Sequence, residues 1–214
     1  MTRKALSVYM SATCALMIVA PGRLVCGIIL ALEIIILMMT GTLVRAMCRQ
    51  FNIGKIANTV VLASIVFTTI VIKQLLMMFM PINALQMNFI IFIPTISTFT
   101  TVFLLDENTY TLKEELKLNI APALFFALYS IIFSLIRDIL GYGTITIPYY
   151  KDQLEITIFN IDRVSILTFF ATIPGALILS SLILASYLTA EKRFNIIKKA
   201  GILKWFLLYR IIFL

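Results

Sequence analysis

Six long apolar stretches, separated by short segments rich in charge, proline or glycine, dominate this chain of 214 residues. A hydrocarbon core about 30 Å thick takes about 20 apolar residues for each helical crossing. Backbone groups inside lipid must be hydrogen-bonded within their own segment, and the stretches lack the two-residue alternation that is typical of a barrel. The pattern predicts an all-α membrane protein with about six transmembrane helices. The predicted spans are Ala5–Ala20, Leu24–Val44, Ile56–Met80, Leu85–Leu105, Leu118–Leu140 and Val164–Leu188.

Composition excludes a soluble domain. Hydrophobic residues make up 61% of the chain and charged residues 13%, about half the charge of a typical soluble protein. A soluble fold of this size could not bury so much apolar surface. Met1–Lys4 resembles the start of a signal peptide, but no small-residue cleavage site follows, so the first stretch is interpreted as an uncleaved span. Residues 1–190 are therefore predicted to form one transmembrane domain.

The Lys and Arg residues predict the orientation of the spans. Most of them lie on one side if the N-terminus is cytoplasmic, and both termini are then expected to be cytoplasmic. The net charge of +8 therefore requires no nucleic-acid partner, and membrane lipid is the expected surroundings. Residues 191–214 alternate basic and apolar side chains, which predicts either a basic amphipathic helix on the inner leaflet or an ordinary stop-transfer flank. Residues 154–159 alternate weakly, which is compatible with a short strand or an interfacial helix.

Two charged residues fall inside apolar stretches, and each costs several kcal/mol if it is unpaired in hydrocarbon. Glu33 lies about 18 Å of helix from Arg45, near the membrane midplane. Two hypotheses remain open for it: an ion or proton path, or a carboxyl that is protonated or hydrogen-bonded to a neighbouring helix. Lys73 lies nearer the outer edge, where its ammonium is expected to extend to the interface.

Weak internal similarity suggests that the fold repeats. Two short patterns recur: Ser11-x-x-Cys14 with Ser97-x-x-Thr100, and Leu43-Val44-Arg45 with Leu135-Ile136-Arg137. Because each half holds three spans, the halves must run in opposite directions, as in many transporters. The prediction is two inverted three-helix repeats, at about residues 5–80 and 85–188, with the working site at the midplane near Cys14 and Thr100. The competing interpretation of Cys14 is a small apolar packing residue.

Three blocks of the chain form a pattern: Ile91-Phe92-Ile93-Pro94, Arg137-Asp138-Ile139-Leu140-Gly141-Tyr142-Gly143-Thr144 and Pro174-Gly175-Ala176-Leu177. Their order and spacing resemble those of the Rnf/Nqr membrane subunits, and the similarity extends from Cys14 to about Leu188. The middle block is similar to the family pattern Arg-Glu-x-hydrophobic-Gly-x-Gly-Thr. The late block, preceded by residues 155–160, most resembles the Rnf E-type (Nqr D-type) subunit.

The resemblance implies a subunit of an ion-translocating electron transport complex in the bacterial inner membrane. Such a complex is a translocase/oxidoreductase, and this chain would hold no complete active site of its own. It implies an oppositely oriented A-type sister subunit and other Rnf-type subunits as partners. It also implies an iron–sulfur cluster shared with the sister subunit, each subunit supplying two cysteines and none binding the cluster alone. The first cysteine position falls on Cys14, but the second falls on Thr100, whose hydroxyl is a poor iron ligand.

Two other hypotheses are a redox-inactive structural subunit of such a complex and an unrelated small membrane transporter that uses Glu33. Nucleotide binding is not expected in this chain, because the sequence has neither a GxGxxG pattern nor a P-loop. The absence of histidine excludes imidazole-based catalysis and histidine-ligated metals.

Overall fold

The structure, a computed structural model, describes residues 17–51, 56–104, 112–149, 153–158, 167–183, 185–186 and 189. This part of the chain is mostly helical. Its helices and strands in chain order are α1 (Leu24–Gln50), α2 (Ala57–Phe79), α3 (Pro81–Gln86), α4 (Ile93–Leu104), α5 (Leu112–Tyr142), β1 (Thr144–Pro148), β2 (Gln153–Thr157) and α6 (Ile173–Ile183). Two 3₁₀ turns lie at Ile90–Phe92 and Leu167–Ala171.

Three of the described helices are long and apolar enough to cross a membrane: α1, α2 and the portion Asn119–Tyr142 of α5. Each has at least 23 residues, or about 35 Å of helix, which exceeds the thickness of a hydrocarbon core. The helices α1 and α5 extend beyond the predicted spans, to Gln50 and back to Leu112, because backbone hydrogen bonding continues past the point where hydropathy falls. These helices are those of a membrane-embedded protein, while the total of six spans and the inverted repeat stay predictions. Most of the first predicted span, residues 5–16, lies outside the described residues.

The predicted fourth span, Leu85–Leu105, is wrong as a continuous helix. Pro81 ends α2 as its ring requires, and α3 then runs for only six residues. A turn and the 3₁₀ turn Ile90–Phe92 follow before α4 begins. Pro94 is the second residue of α4, where its missing N–H costs no helical hydrogen bond, so the proline favours a fresh helix start at this point.

The predicted sixth span, Val164–Leu188, also begins differently. Its described part opens with the 3₁₀ turn Leu167–Ala171, and α6 starts two residues later. Gly175 lies so close to this turn that an added Cβ would collide with the carbonyl oxygen of Phe169. The basic tail, residues 191–214, and the predicted domain boundary before it lie outside the described residues.

Between α5 and α6 lies an antiparallel hairpin of β1 and β2, in which Thr144 pairs with Thr157 and Pro148 with Gln153. The strand alternative for the segment around residues 154–159 is therefore confirmed. The left-handed backbone of Gly143, at φ 66°, turns the chain out of α5 into β1, and only glycine adopts this conformation without strain.

The helix α1 is central to the fold. It packs most extensively against α5 and also contacts α2, α4 and β1. The helix α2 is peripheral, because its buried residues are only Val61, Ile65 and Thr69. These elements belong to a compact unit that ends at Ala176, and a second unit covers residues 177–214. In the second unit the described residues are helical.

Candidate functional site

Arg137, near the end of α5, is buried, with 1% of its surface exposed. Its guanidinium donates hydrogen bonds to four main-chain carbonyl oxygens. From Nη1 the bonds reach Met17 at 3.1 Å and Ala20 at 2.7 Å. From Nη2 a bond reaches Ala171 at 3.0 Å, and from Nε one reaches Phe170 at 3.4 Å. One side chain therefore fastens the segment before α1 and the 3₁₀ turn before α6 to the end of α5.

The chemistry of this contact explains why an arginine stands here. Residues 17–19 are helical, and the carbonyl groups at the end of a helix lack donors from their own helix and carry partial negative charge. The planar fork of a guanidinium can donate to all four carbonyls together, whereas the ammonium of a lysine has only three N–H groups. A Cβ on Gly22 would lie 3.3 Å from Nε of Arg137, and one on Gly141 would lie 2.8 Å from Cβ of Ala171. Because these two glycines have no side chain, Gly22 leaves room for the guanidinium of Arg137 and Gly141 leaves room for the 3₁₀ turn at Ala171.

Asp138, the next residue, is also fully buried, and its carboxylate accepts hydrogen bonds from a different set of groups. Its Oδ2 accepts hydrogen bonds from the Leu24 N–H at 3.1 Å and from the N–H and hydroxyl of Thr146 at 2.8 and 2.6 Å. Its Oδ1 accepts one from the hydroxyl of Thr144 at 3.0 Å. Because Leu24 is the first residue of α1, the carboxylate caps the positive end of α1 from another helix. We refer to Arg137 and Asp138 together as the helix-end clamp.

The hairpin is joined to α1 beside the clamp. Arg23, which precedes α1, forms an ion pair with Glu155 of β2. Its guanidinium also lies 4.8 Å from the centre of the Tyr142 ring. The hydroxyl of Thr146 in β1 accepts a long hydrogen bond from the Val25 N–H at 3.4 Å. The N-terminus of α1 is thus held by α5 and by both strands.

The helices α1 and α5 touch closely one turn further along. A Cβ on Gly27 would collide with the side chain of Ser134. The Ser130 hydroxyl donates to the carbonyl oxygen of Gly27 at 2.9 Å, and it lies 3.2 Å from the sulfur of Met17. Small residues and interhelical hydroxyl bonds of this kind bring helices together in lipid.

Glu33 lies in the middle of α1 and is 1% exposed. Among the described residues neither oxygen of its carboxyl has a hydrogen-bond partner, so this part of the chain does not contain the hydrogen-bonded alternative drawn from the sequence. Lys73 behaves differently, because it is half-buried and its ammonium lies 5.2 Å from the centre of the Phe92 ring. Nearby in sequence, Thr69 of α2 and Thr95 of α4 share a hydroxyl hydrogen bond at 2.9 Å.

The predicted ligand position Cys14 lies outside the described residues, and Thr100 lies in α4, where only its backbone is described. The described cysteines Cys26 and Cys48 are both buried and free. Both stand in α1, 22 residues or about 33 Å apart, so they cannot ligate the same cluster. No three His, Cys, Asp or Glu side chains within the described ranges lie close enough to hold a metal ion.

The structure brings together residues that the sequence analysis did not treat as a site. Arg137 entered only the charge count, the repeat pattern and the resemblance, and Asp138 entered only the resemblance. A signal was present: an Arg-Asp pair at the end of an apolar stretch, followed by Gly-x-Gly-Thr, places two charges where lipid would reject them unless they are bonded. Three of the partners, Met17, Ala20 and Leu24, could not be read from the sequence, because they are main-chain groups more than 100 residues away.

A comparison of the chain with protein-family models gave no match, and a comparison with curated proteins gave none either. The class of protein is therefore defined by the fold. Its described part holds three apolar helices of membrane-spanning length, two of which, α1 and α5, are joined by a buried clamp of charged side chains.

Proposed function

We propose that this chain is an integral membrane subunit of an Rnf-like ion-translocating electron transport complex. In that complex it would help to pass electrons across the bilayer, coupled to the movement of Na⁺ or H⁺, and it would hold no complete active site alone. The expected setting is the bacterial inner membrane, with both termini cytoplasmic. The expected partners are an oppositely oriented A-type sister subunit and other Rnf-type subunits.

The observation that carries the proposal is the geometry of the block Arg137–Thr144. Each position at which this block is similar to the family pattern has a separate task. Arg137 and Asp138 form the helix-end clamp, Gly141 meets Ala171, Gly143 turns the chain, and the Thr144 hydroxyl donates to Asp138. Similarity in a block whose residues each make a defined structural contact supports a shared fold more strongly than similarity between apolar residues, which often match by chance. It therefore supports a fold shared with the family that the block resembles.

Affinity purification from the native membrane tests this proposal. The chain would be tagged at its C-terminus, extracted in a mild detergent and analysed by mass spectrometry. We expect an A-type sister subunit and further Rnf-type subunits to be enriched over a matched purification from an untagged strain. A chain that purifies by itself in several mild detergents would contradict the proposal and favour the unrelated transporter.

A specific observation also favours the structural subunit as the second candidate. Cys26 and Cys48 are buried near opposite ends of α1, whereas the cysteine expected at Thr100 would lie in α4 near the membrane midplane. The iron content of the purified complex separates the two candidates. If Cys14 ligates iron beside thiolates of the sister subunit, Cys14→Ser lowers the iron content while the matched controls Cys26→Ser and Cys48→Ser leave it unchanged, and Thr100→Cys raises it. If none of these variants changes the iron content, the chain is a scaffold and the electron-carrying role is wrong.

A further inference from the structure

Glu33 is the one buried acid in the described part of the chain whose carboxyl oxygens both lack a hydrogen-bond partner. It lies nine residues after Leu24, or about 14 Å along α1. The helix α1 is 27 residues long, and Glu33 is thus distant from both of its ends. Buried polar groups without partners are rare in folded proteins, and an acid of this kind inside a membrane helix is a candidate functional group.

The surroundings of Glu33 on α1 are aliphatic. The residues three and four positions away are Ile29, Leu30, Ile36 and Leu37. These are the positions that share a face with Glu33 on a helix, and none carries an oxygen or nitrogen in its side chain.

The same level of α5 is apolar as well. The two helices are antiparallel, because Leu24 meets Asp138 and Gly27 meets Ser130. Six residues along α1 from Gly27 to Glu33 therefore correspond to about six residues back along α5 from Ser130 and Ser134. That count gives residues 124–128, which read Leu-Phe-Phe-Ala-Leu.

Charged and titratable groups on the elements packed against α1 have other tasks. On α5, Arg137 and Asp138 form the helix-end clamp near the start of α1, and Tyr129 stacks on Phe133. The other charged residues of α5, at positions 113–117, precede its membrane-spanning portion. On α2, the ammonium of Lys73 lies over the Phe92 ring. Neither α4 nor β1 has a titratable side chain.

These surroundings decide which cation the carboxyl can accept. An ionised carboxylate buried without a partner costs several kcal/mol or more. A metal cation such as Na⁺ needs several oxygen ligands in place of its hydration shell, and neither the Glu33 face of α1 nor residues 124–128 of α5 carry a second oxygen ligand in their side chains. A proton needs one oxygen only. Its binding forms an O–H bond with a carboxylate oxygen and gives a neutral acid, and nothing is oxidised or reduced in that step.

We propose that Glu33 is a reversible proton-binding site, so that the cation carried through this subunit is H⁺ and not Na⁺. The coupling role of the site rests on the proposed function, whereas proton binding by the carboxyl does not. Glu33 thus occupies a buried position of the central helix and adds no hydrogen bond to the described part of the fold.

Chemical labelling in native membranes tests the site directly. Dicyclohexylcarbodiimide is an apolar reagent that reaches carboxyl groups within lipid and forms a stable adduct with their protonated form. After treatment, the chain is purified and the adduct is located by mass spectrometry. We expect Glu33 to be labelled at neutral pH, and the labelling rate to fall severalfold as the medium is made alkaline and the protonated fraction declines. We expect no protection by Na⁺ at constant ionic strength.

The chain offers matched controls for this experiment. Glu155 is an exposed carboxylate paired with Arg23, and it should remain unlabelled. Glu33→Gln should abolish the adduct, and Glu33→Asp, which keeps the acid one methylene shorter, should retain it. Retention in Glu33→Asp shows that loss in Glu33→Gln does not reflect misfolding.

Three results would overturn the proposal. Protection by Na⁺ would make the site a sodium site. A labelling rate that stays constant across the pH range would mean that the proton does not exchange, and absence of any adduct at Glu33 would mean that the carboxyl is not protonated. The readout belongs to this chain alone and needs no electron transport. Its failure is therefore distinguishable from a failure of the chain to co-purify with Rnf-type subunits.

Discussion

Replacement of Arg137 by methionine tests the helix-end clamp, because methionine fills a similar volume and donates no hydrogen bond. The change leaves four carbonyl oxygens without their donor. Those of Met17 and Ala20 are buried, whereas those of Phe170 and Ala171 are bonded in a partly exposed position. Each buried acceptor left unpaired costs about 1–3 kcal/mol, and the partly exposed ones can bind water.

An opposing effect lowers this cost. The substitution also removes a positive charge from a buried position, and replacing buried charges by apolar side chains is often neutral when the partners leave with them. Here the partners are main-chain carbonyl groups, which remain. The cost of the unpaired carbonyl acceptors is therefore the larger effect, and we expect Arg137→Met to lower the free energy of unfolding by about 2–4 kcal/mol.

The assay is reversible unfolding of the purified chain in mixed detergent micelles, followed by far-ultraviolet circular dichroism. Arg23→Met is the matched control, because its ion pair with Glu155 is exposed and such pairs contribute about 0–1 kcal/mol. Arg137→Lys should fall between the two, since an ammonium keeps the charge but cannot reach four carbonyls. If Arg137→Met is no more destabilising than Arg23→Met, the clamp does not stabilise the fold and the reasoning above is wrong.

Two further predictions concern contacts at the ends of α1 and α5, and a third concerns the orientation in the membrane. Asp138→Asn keeps the shape but loses the charge that caps α1, so we expect faster proteolysis of the β1–β2 hairpin and about 1–3 kcal/mol less stability. Gly27→Ala should destabilise the chain by about 1–3 kcal/mol by forcing α1 from α5, and Ser134→Gly in the same chain should recover part of the loss, as unfolding measurements would show. Reporter fusions at Leu214 and within the β1–β2 turn should give opposite signals, with Leu214 cytoplasmic, and equal signals would refute the predicted orientation.

The sequence predicts the long helices well because hydropathy and helix length are set by the same bilayer. The second and third predicted spans coincide with α1 and α2 at their starts, and Pro81 ends the third as expected. The break between α3 and α4 escaped prediction, since residues 85–105 contain no charged side chain to interrupt the hydropathy pattern. Hydropathy measures the cost of transfer into lipid and contains no term for where backbone hydrogen bonding is interrupted.

The site is harder to predict than the helices, for a physical reason. The four hydrogen bonds of Arg137 end on main-chain carbonyl groups, and two of the four that Asp138 accepts come from main-chain N–H groups. Nearly every residue carries such groups. No pattern of side chains marks Met17 or Ala171 as an acceptor. Glu33 could be recognised from the sequence as an acid inside an apolar stretch. Whether its carboxyl has a hydrogen-bond partner depends on packing that only the structure supplies.

Arg137 and Glu33 show two different ways in which this fold holds an ionisable side chain away from water. The guanidinium is surrounded by carbonyl oxygens, so its burial contributes to holding α5, the first segment and the turn before α6 in place. The carboxyl of Glu33, on the helix that packs against α5, has no such partners. Stability alone would favour an aliphatic residue at position 33, as at its neighbours Ile34 and Ile35. A position at which the fold gives up stability without gaining a contact is where a functional demand is expected, which is why Glu33, and not the better-bonded Arg137, is the residue to test for ion movement.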